Sequence, residues 1–136
     1  MTSLIKKLMP IVRRDPRYAY EAYEFVSQAL VHTHKMLGRE PPDENTDPND
    51  MRYHVSGRQW VEGICDFARQ EFGLMARVVF RMWGIHHTDD FGEIVFNLID
   101  AGLMSRTPEE SRADFHALFD LDEALEQGFR IALEEE

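Results

Sequence analysis

The sequence holds a single cysteine, Cys65, so no intrachain disulfide can form, and a lone thiol fits a reducing compartment. No apolar run approaches the roughly 20 residues of a membrane span. The start, MTSLIKKLMPIVRRDP, interrupts its short apolar run with Lys6, Lys7 and Pro10 and lacks the small-residue cleavage pattern of a signal peptide. The expectation is a cytoplasmic chain with no membrane contact. Walker-type loops, G-x-G-x-x-G and G-x-S-x-G are missing, which removes the usual phosphate cradles and nucleophile elbows. Internal repeats and low-complexity tracts are missing too.

The chain has 136 residues, the size of one domain, long enough to bury about two-thirds of its unfolded surface without a disulfide or metal. Its net charge of −10 is unevenly spread. Residues 1–39 hold seven basic residues against three acidic ones, a balance of +4, and residues 40–136 hold eight against twenty-two, a balance of −14. An acidic body repels phosphate backbones, so nucleic-acid contact could begin only at the basic N-terminal segment, on Lys6, Lys7, Arg13, Arg14 and Arg17.

Helix signals dominate the pattern, within one domain over residues 1–136. Residues 3–9 suggest a short helix stopped or kinked at Pro10, inside a basic segment at 1–15. Asp15 as N-cap, Pro16 at the first helical position and Gly38 as stop frame a second helix. Its stripe is Ala19, Ala22, Tyr23, Val26, Ala29, Leu30 and Thr33, with His34 and Lys35 in the last turn, where positive charge suits the dipole. Residues 39–54 show no periodicity and read as a mobile loop. Ser56 with Gln59 then forms a capping box, and Val55 with Trp60 a hydrophobic staple. Trp60, Ile64, Phe67, Ala68 and Phe72 carry that helix to Gly73. A shorter helix runs through Met75, Val78, Val79 and Met82 to Gly84.

Thr88 can cap the next helix, with Asp89 and Asp90 in its first turn, or Asp90 can be the cap with Glu93 as box partner, and the helix buries Phe91, Ile94, Val95 and Leu98. Gly102 ends it, with Leu103 folding back onto Leu98. TPEES at 107–111 predicts one helical turn, and the run around Phe115 and Phe119 suits either strand or coil. Asp120 with Glu123 starts a last helix ending near Gly128, and Phe129, Ile131 and Leu133 alternate as in a strand. The expected fold is therefore mainly α, a compact multi-helix domain. Three helices followed by a small C-terminal β-hairpin is the order of a winged-helix domain. Its third helix here carries Asp89, Asp90, Glu93 and Asp100 with no lysine or arginine, which opposes DNA reading.

The stretch WGIHHTDDFGEIV is the chemical candidate. A helical zinc pair needs histidines four apart, whereas His32 and His34 are two apart and His86 and His87 are adjacent. His86, His87, Asp89 and Asp90 are weak metal or acid/base candidates, since acids at a helix start are expected in any case. No cofactor is called for. Cys65 lies mid-helix beside no lysine, so it reads as structural rather than nucleophilic. The tyrosines of YAYEAYEF fall at helical spacing and read as packing rather than a stacking platform.

The block HVSGRQWVEGICDFARQEFGLMARVVFRMWGIHHTDDFGEIVFNLIDAGLMSRTPEESRADF resembles the centre of an uncharacterised bacterial protein family of similar length, and DPRYAYEAYEFV is similar to that family's start. The resemblance implies a single-domain bacterial protein and carries over no catalytic residue. Three functions follow as expectations. The first is a non-enzymatic interaction module with a protein partner or as a homo-oligomer. The second is a winged-helix-like regulator touching nucleic acid through the basic segment. The third is a small metal-dependent enzyme using the turn of His86, His87 and Asp89.

Overall fold

The computed structural model describes residues 2–38, 55–103 and 112–126. Its elements are α1 (Thr2–Arg14), α2 (Tyr20–Met36), α3 (Gly57–Phe72), α4 (Ala76–Met82) and α5 (Thr88–Asp100). Short 3-10 turns lie at Gly73–Met75 and Arg112–Phe115, and a last helical stretch spans 121–126. No strand occurs among the described residues. The anticipated loop at 39–54, the helical turn at 107–111 and the strand from Phe129 to Leu133 lie outside them.

The framing signals of α3 act as read. The Ser56 side chain accepts from the Gln59 N–H at 3.1 Å, and Gln59 Oε1 accepts from the Ser56 N–H at 3.0 Å. Val55 and Trp60 are both buried beside this cap. Glycines stop α3, α4 and α5 at Gly73, Gly84 and Gly102. In α5 the Leu103 N–H bonds to the Leu98 carbonyl and that of Gly102 to Ile99, the paired bonds of a Schellman ending. The same pair recurs after α4, from Ile85 to Phe80 and from Gly84 to Arg81. At 120–126, Asp120 accepts from the Glu123 N–H at 2.9 Å, and Leu121 and Leu125 are buried.

One helix end and one helix start differ from expectation. α1 does not stop at Pro10 but runs through it to Arg14. Pro10 sits on the exposed side, where water can satisfy the carbonyl its missing N–H leaves free, while Leu8 and Ile11 anchor the opposite side. Asp15 does not cap α2, which begins at Tyr20 after Ala19 with no side-chain cap. The Asp15 carboxylate is drawn instead to the side chain and N–H of Arg17, so residues 15–19 form a turn.

The core sits around α2, which touches α1, α3 and α5. Helices α2 and α3 run antiparallel: Phe25 stacks on Phe67 at 5.0 Å, and further along Thr33 meets Gly63. Phe25 also meets Phe72, Phe80 and Trp83, and Phe80 meets Phe91 edge-on at 5.6 Å. This aromatic chain joins α2 to α3, α4 and α5. Phe25 and His34 are buried although the predicted stripe omitted both. The expected strand or coil at 112–119 opens as a 3-10 turn whose Phe115 packs beside Trp60 at 6.1 Å. The described part of the hairpin region is thus not extended.

Gly63 makes the α2–α3 approach close. A Cβ there would meet the Thr33 hydroxyl and lie 2.8 Å from Thr33 Cβ. Gly63→Ala should cost about 1–3 kcal/mol through overpacking, read as a lower urea midpoint. Thr33→Ala in that background should recover part of the loss. An unchanged midpoint in the single variant would contradict the packing argument.

Candidate functional site

The turn entering α5 is built from Thr88, Asp89 and Asp90, and each makes a different contact. The Thr88 hydroxyl donates to the Phe115 carbonyl at 2.8 Å and accepts from the Leu118 N–H at 3.1 Å. Asp89 accepts from the His116 ring Nδ1–H at 2.6 Å and from the Ala117 N–H at 3.0 Å. Asp90 accepts from the His86 and His87 N–H groups at 2.8 and 3.0 Å and from the Tyr18 hydroxyl at 2.6 Å. The helix begins at Thr88 with His87 before it, so neither Thr88 nor Asp90 is its N-cap. Asp90 instead fills the role of the third residue in a capping box, and its partner is the backbone of the turn.

His86 and His87 are exposed, and only their backbone N–H groups engage Asp90. Asp89 faces the segment at 116–117, away from that engagement. Among the described residues no group of three His, Cys, Asp or Glu side chains is placed to hold a metal ion. The four chemical candidates are therefore not drawn together around one point. Asp89 and Asp90 each spend their oxygens on protein donors.

A second polar cluster joins the α1–α2 turn to α5. Arg17 grips Asp15 with two donors, Nε at 2.8 Å and a terminal nitrogen at 2.6 Å. The Asn97 side chain donates to Asp15 at 3.0 Å and to the Tyr23 hydroxyl at 3.1 Å. Arg17 and Arg112 both reach Glu93, at 3.4 and 3.3 Å. The Arg17 hydrogen bond holds the Asp15 carboxyl well below the usual carboxylate range, against burial, with Asn97 assisting. The same contact pushes the Arg17 guanidinium up. Burial pushes the Tyr18 hydroxyl up, and its bond to Asp90 adds to that. Burial likewise raises Tyr23. These groups are tied in fixed protonation states, which suits a structural joint rather than proton transfer.

Other reactive side chains are similarly held. His32 meets Asp66 at 2.7 Å, Gln70 donates to the same carboxylate at 2.9 Å, and the His32 ring lies 5.1 Å from that of Phe67. Cys65 is buried, which pushes its thiol up to about 12, far from a nucleophile's range.

The basic candidates divide. Lys6, Lys7, Arg13 and Arg14 are exposed on α1. At about 100° per residue they share an arc of roughly 120° around Pro10. None of them makes an ion pair among the described residues. Arg17 does not belong to that face, since Asp15 and Glu93 hold it.

One surface escaped the sequence reading. Leu74, Met75, Val78 and Met82 are 67%, 56%, 46% and 77% exposed, so the outer side of α4 and the turn before it is apolar. At about 100° per residue the four fall within an arc of roughly 100°. The inner side is Ala76 and Phe80, both buried. The available signal was a segment, LMARVVFRMW, that is apolar on nearly all sides, whereas a surface helix needs only one apolar stripe. Arg77 and Arg81 border the stripe and pair with Asp122, at 3.5 and 2.7 Å.

No protein-family model, curated protein or solved structure matches this chain. No described helix is long and apolar enough to cross a membrane.

Asp15 and Asp89 both sit below their ordinary value of 3.8, Asp89 chiefly through its bond to His116. Depressed carboxylates stabilise the fold fully above that ordinary value. The stabilisation drains away as pH falls below it, because the unfolded chain then binds protons more readily than the folded one. Asp15→Asn should lower Tm at neutral pH and flatten the fall in Tm between about pH 5 and pH 2 relative to the parent chain. Parallel Tm–pH curves for the two proteins would show that Asp15 carries no such linkage.

Proposed function

We propose that the chain is a protein-interaction module whose docking surface is the outer face of α4. The observation that carries this reading is the exposed stripe of Leu74, Met75, Val78 and Met82. Single exposed apolar residues are ordinary, but two on α4 and two in the turn leading into it make a larger patch. The titratable clusters support the same reading, because their polar atoms are spent on joining segments of the chain. The reading takes the chain to be a cytoplasmic bacterial protein, in line with its one buried thiol and the family resemblance.

The test uses Leu74→Lys with Met82→Lys, which alters only exposed side chains. Tm should stay within about 2 °C of the parent, as surface changes cost little. Affinity capture from cell extract should lose specific partners that the parent chain retains. Identical captured sets would remove the α4 face from the function.

A second reading has its own observation, the exposed cationic face of α1, which makes no ion pair among the described residues. A winged-helix-like regulator would touch a phosphate backbone with Lys6, Lys7, Arg13 and Arg14. The order α3, α4, α5 suits that architecture, while α5 presents Asp89, Asp90, Glu93 and Asp100 and is unsuited to enter a groove. Duplex DNA binding at low salt, reduced at least tenfold by Arg13→Glu with Arg14→Glu, is the expected result of this second reading. Absence of any binding at low salt would end it.

A further inference from the structure

We infer that α1, not α5, is the element that meets a DNA duplex, and that it grips the phosphate backbone without reading bases. The inference rests on the second reading, of α1 as a nucleic-acid contact, and adds what kind of contact it is.

α1 is one unbroken helix from Thr2 to Arg14 with Pro10 inside it. Leu8 and Ile11 hold one side of this helix in the core, and Pro10 lies on the exposed side. At about 100° per residue, Lys6 and Arg13 stand roughly 40–60° to one side of Pro10, and Lys7 and Arg14 as far to the other. Within each pair the two cations are about 10 Å apart along the axis. The outward face is thus two rows of cations flanking a proline. All four side chains are exposed, and none makes an ion pair among the described residues. Asp15 and Glu93, acids beyond the end of the helix, are offset by Arg17.

The major groove of a duplex admits an α-helix. Seated there, the centre of the α1 face points at the base edges and its flanks at the two strands. The centre is Pro10, whose side chain neither donates nor accepts a hydrogen bond. The flanks carry all the charge. α1 contains no Asn or Gln to pair with adenine. Its contacts therefore go to phosphate, which positions the protein but carries no sequence information.

Other polyanions fit this face less well. Single strands are held by stacking bases on aromatic rings. α1 has no aromatic residue, and beyond it Tyr18 and Tyr23 are buried and Tyr20 half-buried. Anionic bilayers hold a basic amphipathic helix by its apolar side as well as by its charge. Here that side is spent on the core through Leu8 and Ile11.

Four phosphate contacts correspond to a slope of log K against log salt of about −3.6 on a duplex. The net charge of −10 opposes the approach, and salt screens that repulsion, so the slope is shallower. Affinity falls by up to about 100-fold between roughly 50 and 200 mM salt.

Fluorescence anisotropy of a labelled duplex of about 20 base pairs, titrated with the purified, untagged chain from about 25 to 200 mM NaCl, tests this. The expected slope lies between about −2 and −3.6. Arg13→Gln with Arg14→Gln should lower its magnitude by about 1.8, with Tm within about 2 °C of the parent. Arg58→Gln, at an exposed α3 arginine paired with Glu62, should leave it unchanged. AT-rich and GC-rich duplexes should bind within about threefold of each other, since one base-pair contact is worth more than that. A slope indifferent to the α1 variant, or equally sensitive to Arg58→Gln, overturns the inference. Tighter binding to a single strand overturns it, as does displacement of the duplex by phosphatidylglycerol vesicles at equal phosphate concentration. A preference above about tenfold between duplexes means that bases are read. The inference then fails while the second reading stands. Absence of binding to any duplex at the lowest salt removes both together.

Discussion

Asp90 receives three hydrogen bonds, and through them it fixes two distant turns to one another. Two come from the backbone of the turn that enters α5, and the third from Tyr18 in the turn between α1 and α2. The Ala19 N–H donates to the Trp83 carbonyl at 3.2 Å in the same region. Gly84, at φ +91°, sits directly against the Arg17 carbonyl, where any Cβ would collide with it. Tyr18 is buried and meets Tyr23 edge-on at 6.5 Å, so the joint continues into the core. A buried tyrosine hydroxyl without a partner is costly, and an aspartate at a helix start gains from the positive end of the dipole. One carboxylate meets both needs. The order α1 to α5 closes on itself because these two turns interlock.

The caps were legible because capping chemistry is local. Ser56 and Gln59 are three residues apart, and so are Asp120 and Glu123. Gly102 and Leu103 satisfy carbonyls within one turn behind them. Asp15 was misread for the opposite reason. It has the local signature of a cap, but Arg17 and Asn97 compete for its oxygens, and Asn97 lies 82 positions away. The acids of the 86–90 turn were rightly placed at the start of a helix, while their partners were not. Nothing in TDD announces that Thr88 and Asp89 will hold residues 115–118 through long-range bonds. The stop at Pro10 fails because the cost of that proline depends on which side of α1 faces water, a tertiary fact.

Charge and apolar surface are segregated rather than mixed. The cations of α1 stand apart from the body, whose arginines are largely engaged: Arg17 with Asp15, Arg112 with Glu93, Arg81 with Asp122. Such exposed pairs contribute little stability individually. Their effect is to cancel local charge and leave α1 as the face on which positive charge remains uncompensated among the described residues. The α4 stripe lies beside a compensated border.

The composition of that stripe is the firmest guide to its role. A helix of seven residues is not stable alone. Here α4 is held by Phe80 and Ala76 on its inner side and by the paired carbonyl bonds at Gly84 on its end. None of these supports involves the exposed side chains of Leu74, Val78 or Met82. Lysine or glutamate at those positions would retain helix propensity, keep the inner contacts and improve solubility in an acidic protein. The fold therefore does not require them to be apolar. Apolar groups that the described packing does not use, aligned along one edge and bordered by paired arginines, are the feature on which the proposed contact surface rests.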